Sequence, residues 1–231
     1  MQTLRNTPTD RKNIGLSKLV YALRQELDIY CLIGVNIDSL VNQNQKGIGK
    51  KFFSFLRNLA ISSITLSICK IYEEERKNKK GYTKYELNSI CGVINHLCKE
   101  SPTPLNDSKF KGFIQKYNGL SVYGSATDAL KLTFDNFRHK YKDELDRFKT
   151  FRDKYAAHSE YGFPGGTLPS YDVMEKLFSF GADFYELVSE TFVSDPSVQI
   201  IPFDLKAGRP VKSSLKRLLQ KLGFQDIKTD M

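Results

Sequence analysis

Apolar residues return at three- and four-residue steps along most of this chain. From Gly15 to Val41, Leu16, Leu19, Val20, Leu23, Leu27, Tyr30 and Ile37 follow that rhythm, which predicts a long amphipathic helix. The polar run NQNQKGIGK ends it. A second helix is expected from Lys50 to Arg76, along Phe52, Phe55, Leu56, Leu59, Ser63, Leu66 and Ile71. It closes on KNKKGY, the glycine and basic residues that a helix C-terminus prefers. A third opens at TKYE, where Thr83 and Glu86 have capping-box spacing, and runs to about Lys99.

The proline-marked SPTPLND breaks the pattern. A short helix spans Ser108 to Tyr117, and NGLSVYGSATD reads as a loop. The longest periodic signal runs from Asp128 to about His158. After the turn-rich YGFPGGTLPS, Ser170 is placed to cap a helix reaching Val193. QIIPFDL reads as extended, and KAGRPVKSSLKRLLQKLGF as a basic helical segment. No repeat and no strand-like alternation interrupts this. The expectation is an all-α, antiparallel helical bundle with a basic C-terminal appendage. Its divisions are an N-terminal arm (1–14), the bundle (15–195) and a basic extension (196–231).

The net charge of +9 favours a polyanionic partner, nucleic acid before an anionic membrane surface. MQTLRNTPTDRKNIGL has no apolar h-region, so no signal peptide is read. NLAISSITLSICKIY is broken by polar residues and reads as too short to cross a bilayer. A cytoplasmic protein without membrane contact is therefore expected. Cys31, Cys69, Cys91 and Cys98 lie in apolar helical patterns with no CxxC pair, which suits buried free thiols in a reducing compartment. Cys91, His96 and Cys98 lack a second cluster to complete a four-ligand site, so no metal is expected. GIGKK lacks the glycine-rich lead and the final hydroxyl of a P-loop, and no nucleotide cofactor is expected. His96 and His139 have no partnering motif.

The stretch FRDKYAAHSE, residues 151–160, breaks the pattern in a different way. Leu130, Phe134, Phe137, Tyr141, Leu145 and Phe148 form one stripe, and the next positions on it are Arg152 and Tyr155. His158 falls on its flank, about 120° from Arg152. An arginine facing a core is costly unless it is paired or lines a wet cleft. One reading pairs Arg152 with Glu73, Glu74 or Glu75 on a neighbouring helix, with His158 as a C-terminal cation. The other gives both residues to chemistry.

RDKYAAHS resembles the Arg-x(4–6)-His motif of the HEPN superfamily of helical nucleases and nucleic-acid-associated proteins. Asp153 stands where that family has a polar residue, and the Ala-His-Ser ending is similar to that of bacterial members. LAISSITLSICKIYEEER resembles the matching helix of the abortive-infection U-type (AbiU-like) branch. There a small, apolar run leads into an acidic position, here Glu73 or a neighbour. The resemblance extends from Gly15 to Val193.

What it implies is a metal-independent endoribonuclease without a cofactor, in toxin–antitoxin or anti-phage defence. The ribose 2′-OH attacks the adjacent phosphorus, leaving a cyclic phosphate and a 5′-OH. His158 suits the general acid/base, and Arg152 the cation that holds the phosphate. It further implies a homodimer in which both motifs line one basic groove, and admits a cognate antitoxin or nucleotidyltransferase as partner. Glu73 would fix Arg152. Asp153 either orients a histidine or arginine or is an ordinary solvated charge. Tyr155 either stacks on a base or belongs to the core. Ser159 either bonds phosphate or merely ends the helix.

Lys154 and, in the tail, Arg209, Lys212, Lys216 and Arg217 are candidate contacts to the RNA backbone. The alternative packs Leu215, Leu218, Leu219 and Leu222 on the bundle beneath a basic outer face, and the helical spacing favours it. Two other classes of function stand beside the enzyme. One is a non-catalytic HEPN module that binds RNA or a protein. The other is a helical scaffold, which leaves the position of Arg152 unexplained.

Overall fold

A computed structural model gives the architecture and describes residues 8–43, 47–74, 87–100, 103–118, 124–156, 168–192 and 210–229. Every regular element among the described residues is helical. They are α1 (Pro8–Val35), α2 (Lys50–Ile71), α3 (Ile90–Glu100), α4 (Asp107–Asn118), α5 (Ala126–Lys140), α6 (Lys142–Phe151), α7 (Tyr171–Thr191) and α8 (Pro210–Lys221). Single π-helical turns follow α1 at Asp38–Asn42 and α6 at Arg152–Ala156. The protein is all-α. Thr83, Glu86, Arg209 and the stretch expected to be extended, 199–205, lie outside the described residues.

The three- and four-residue apolar rhythm sets the packing. Leu16, Val20, Leu23 and Leu27 of α1 meet Ile64, Ile68 and Ile71 of α2 in one fully buried cluster. The same helix runs antiparallel to α7. Asn13 Nδ2 donates to Ser189 Oγ at 2.8 Å near one end, and Arg24 holds Glu175 further along. Helix α1 thus begins upstream of Gly15, from Pro8, a residue whose missing N–H costs nothing in the first turn. On α7, Phe180 gathers an aromatic core: its ring centroid lies 3.9 Å from that of Phe137 and 4.7 Å from that of Tyr117. Buried Tyr72 donates its hydroxyl to the Leu177 carbonyl at 2.6 Å, satisfying its one side-chain polar group.

Several boundaries differ from expectation for local reasons. The long helix through Asp128 bends at Tyr141, which leaves α geometry at φ −108° and ψ 25°. Arg138, His139 and Lys140 end α5, and Asp143 and Glu144 begin α6, so each terminus carries the charge its dipole favours. Upstream, Ser125 caps α5 by accepting from the Asp128 N–H at 3.1 Å. Ser170 does occupy the N-cap of α7, but its side chain makes no capping bond. Of the four free cysteines only Cys31 is buried; Cys69 and Cys91 are half-buried and Cys98 is exposed. At 22 residues, α2 also proves long and apolar enough, by length and composition, to cross a membrane.

The C-terminal segment is joined to the bundle. Leu219 and Phe224 pack with Leu32, Ile33, Leu40 and Phe53 in a second buried cluster. Beyond it, Asn36 and Lys228 exchange two hydrogen bonds, each 2.9 Å.

Candidate functional site

Phe148 and Phe151 turn the end of α6 inward, and Arg152 follows at the rim. Its side chain keeps 24% of its surface, enough to reach solvent but not to lie free in it. The guanidinium Nε donates to Asp153 Oδ1 at 2.7 Å. That hydrogen bond is the main cause raising the Arg152 pKa. Partial burial opposes it, and Cys69 and Glu73 reinforce it. Arg152 is therefore a fixed cation.

It lines a cavity of about 160 Å³ between the C-terminal end of α2 and the bent α5–α6 unit. Ile68, Cys69, Tyr72, Glu73 and Glu74 form one wall, and Arg138, Leu145, Asp146, Lys149 and Arg152 the other. Arg138 pairs with Glu74 and lies over the Phe134 ring, 5.6 Å from its centroid. Among the described residues, three basic side chains and three carboxylates thus line the cavity, with no formal net charge between them. Burial raises the Cys69 pKa to about 11, against the pull of Arg152.

The expected residues divide as follows. Glu73 and Arg152 share the cavity, but the hydrogen bond described for Arg152 goes to Asp153, its chain neighbour. Asp153 is half-exposed, and Lys154 is exposed. His158 and Ser159 lie outside the described residues, and so does the side chain of Tyr155. The π turn at Arg152–Ala156 changes the helical phase.

Lys212 is buried at 7% exposure and does not belong to a basic outer face; Lys216 is half-buried and Arg217 exposed. Their helix packs near Phe53, at the far end of α2 from Cys69. The 16 residues between those positions place α8 roughly 24 Å along the helix from the Arg152 cavity. Within one chain the tail helix does not line it.

Sequence reasoning missed Arg138, Asp146, Lys149 and Cys69. The first and third had a legible signal: Arg138, Leu145, Lys149 and Arg152 are spaced by seven, four and three residues, one helical face. It also missed a second cavity of about 740 Å³, where Lys116, Lys140 and Lys176 surround Tyr117, Phe137 and Tyr141. Its acidic side is Asp172 and Glu175, the latter already held by Arg24.

Among the described residues no three histidine, cysteine or acidic side chains gather as metal ligands. Comparison of the chain with protein-family models, with curated proteins and with solved structures finds no match.

Proposed function

We propose that this chain is a HEPN-type, metal-independent endoribonuclease that works as a dimer on RNA in the cytoplasm, in toxin–antitoxin or anti-phage defence. The observation that carries the reading is Arg152: an oriented, partly exposed guanidinium at the rim of a cavity and at the start of a π turn. Such turns recur at functional sites. A cavity of about 160 Å³ suits a phosphate group and is smaller than the usual site for a whole small molecule. In this mechanism Arg152 holds the scissile phosphate and its pentacoordinate transition state, where a preorganised cation acts most strongly. His158, six residues on, takes the proton of the attacking 2′-OH or supplies one to the 5′-oxygen as its bond to phosphorus breaks. The lysines and rings of the larger cavity offer contacts for flanking nucleotides.

A second reading, the non-catalytic HEPN module, is favoured by the charge balance of the Arg152 cavity. Three carboxylates there offset the three cations that a phosphate needs. For the ribonuclease, a second copy has to supply the missing positive field.

The deciding experiment is RNA cleavage in EDTA by wild type, Arg152→Ala and His158→Ala, each checked for folding and oligomeric state. Cyclic-phosphate ends from wild type, lost in both variants, are the expected result. An inert wild type toward varied RNAs, with Arg152→Ala mainly lowering the melting temperature, overturns the enzyme in favour of the module.

A further inference from the structure

We infer that α2 and α8 form a docking surface for the anionic face of a lipid bilayer, on which the protein lies peripherally. The inference is independent of the ribonuclease reading and reverses the expectation of no membrane contact.

Nine large hydrophobic residues are exposed among the described residues, and seven of them belong to α2, α8 and their flanking residues. Phe52 and Phe55 keep 52% and 61% of their surface, which no core-facing role explains. At 100° per residue, Phe52, Phe55, Leu59 and Leu66 fall within an arc of about 60°. That arc points away from Phe53, Ile64, Ile68 and Ile71, the buried positions of the same helix. Helix α8 exposes Leu218, and Leu222 just past its end is exposed as well. The two helices meet in one buried cluster, where the rings of Phe53 and Phe224 lie 6.0 Å apart.

Charge selects the occupant. Helix α2 exposes Lys50, Lys51 and Lys70, of which Lys51 and Lys70 flank or share that arc, and it carries no acidic residue. Helix α8 exposes Arg217 and Lys221, on either side of Leu218 in the sequence, and likewise carries no acidic residue. A second copy docking here would meet its own positive charge. RNA would satisfy the cations and offer bases to Phe52 and Phe55, but would leave Leu59, Leu66, Leu218 and Leu222 against a polar sugar-phosphate backbone. Anionic headgroups above an acyl layer use both features, as basic amphipathic helices do at membrane interfaces.

The test is co-sedimentation of the full chain with vesicles of phosphatidylcholine alone or with about three parts in ten phosphatidylglycerol. The expected result is roughly tenfold or greater preference for the anionic vesicles, reduced by raised salt. The exposed-site variants Phe55→Glu and Arg217→Glu/Lys221→Glu, folded by circular dichroism, should each lose binding about tenfold. The inference is overturned if wild type does not sediment with anionic vesicles or binds neutral ones equally well. It is also overturned if folded Phe55→Glu binds as wild type does. Conversion of a dimer to a monomer by Phe55→Glu, without vesicle binding by wild type, assigns the face to a second copy instead.

Discussion

Arg152 donates through Nε to Asp153, its own chain neighbour, at 2.7 Å. Neighbouring side chains on an α-helix normally point apart; this pair forms where the backbone enters a π turn. The carboxylate orients the guanidinium at the mouth of the cavity; under the ribonuclease reading it is a positioning residue.

Asp153→Asn separates that role from stability. The pair is too exposed to matter much to folding, so stability should change by less than about 1 kcal/mol. Under the ribonuclease reading, loss of orientation should slow cleavage by roughly 10–100-fold. A large drop in melting temperature with unchanged cleavage contradicts the positioning role.

Arg24 is the arginine that does carry stability. Only 3% exposed, it holds Glu175 through two nitrogens at 2.7 and 2.8 Å and Asp28 at 2.9 Å. Burial works against its charge, but the Glu175 and Asp28 carboxylates outweigh it and raise the pKa. Arg24→Ala should cost about 3–5 kcal/mol, as removal of one member of a buried ion pair does. Thermal unfolding should show a fall of roughly 6–20 °C in a chain of this size. A change near zero would mean that α1 and α7 do not meet through this pair.

These two arginines mark how far the sequence could be read. Arg152 was conspicuous because it interrupts a stripe built by local periodicity, and the cavity residues Arg138 and Lys149 share its helical face. The Arg24–Glu175 contact spans 151 positions, and nothing local announces it. Periodicity also carried the long signal straight through Tyr141, although the basic RHK and acidic DE flanking that residue mark two helix ends. The capping spacing of Ser125 and Asp128 was hidden inside a stretch read as loop. The clustering of exposed phenylalanines on α2 could be recognised only once the opposite face was seen to be filled.

Glu26 gives a pH signature. Burial is the main cause raising its pKa, and the Ser67 hydrogen bond and Lys70 only partly offset it. Its Oε2 is buried without a hydrogen-bond partner among the described residues. A raised folded-state pKa means that the native state holds this proton more tightly than the unfolded chain. The stabilising contribution is complete below the unfolded pKa and is lost as pH rises through the folded one. Glu26→Gln should therefore melt at a higher temperature than wild type at neutral pH, with the gap closing on acidification. A gap that widens toward low pH gives the shift the opposite sign.

Cys69 reports on Arg152 without any substrate. With its pKa near 11, about one thiol in a thousand is ionised at pH 8, and the thiolate is the reactive form. Iodoacetamide should label Cys69 far more slowly than exposed Cys98. Its rate should rise about tenfold per pH unit through the mildly alkaline range, as the thiolate fraction does. Arg152 lowers the Cys69 pKa, so Arg152→Ala should slow labelling further at fixed pH, while Arg152→Lys retains more of the effect. Peptide mass mapping of the alkylated protein reads this site by site. Equal labelling of Cys69 in wild type and Arg152→Ala would mean that the guanidinium does not sit beside the thiol, and the cavity as described would be wrong.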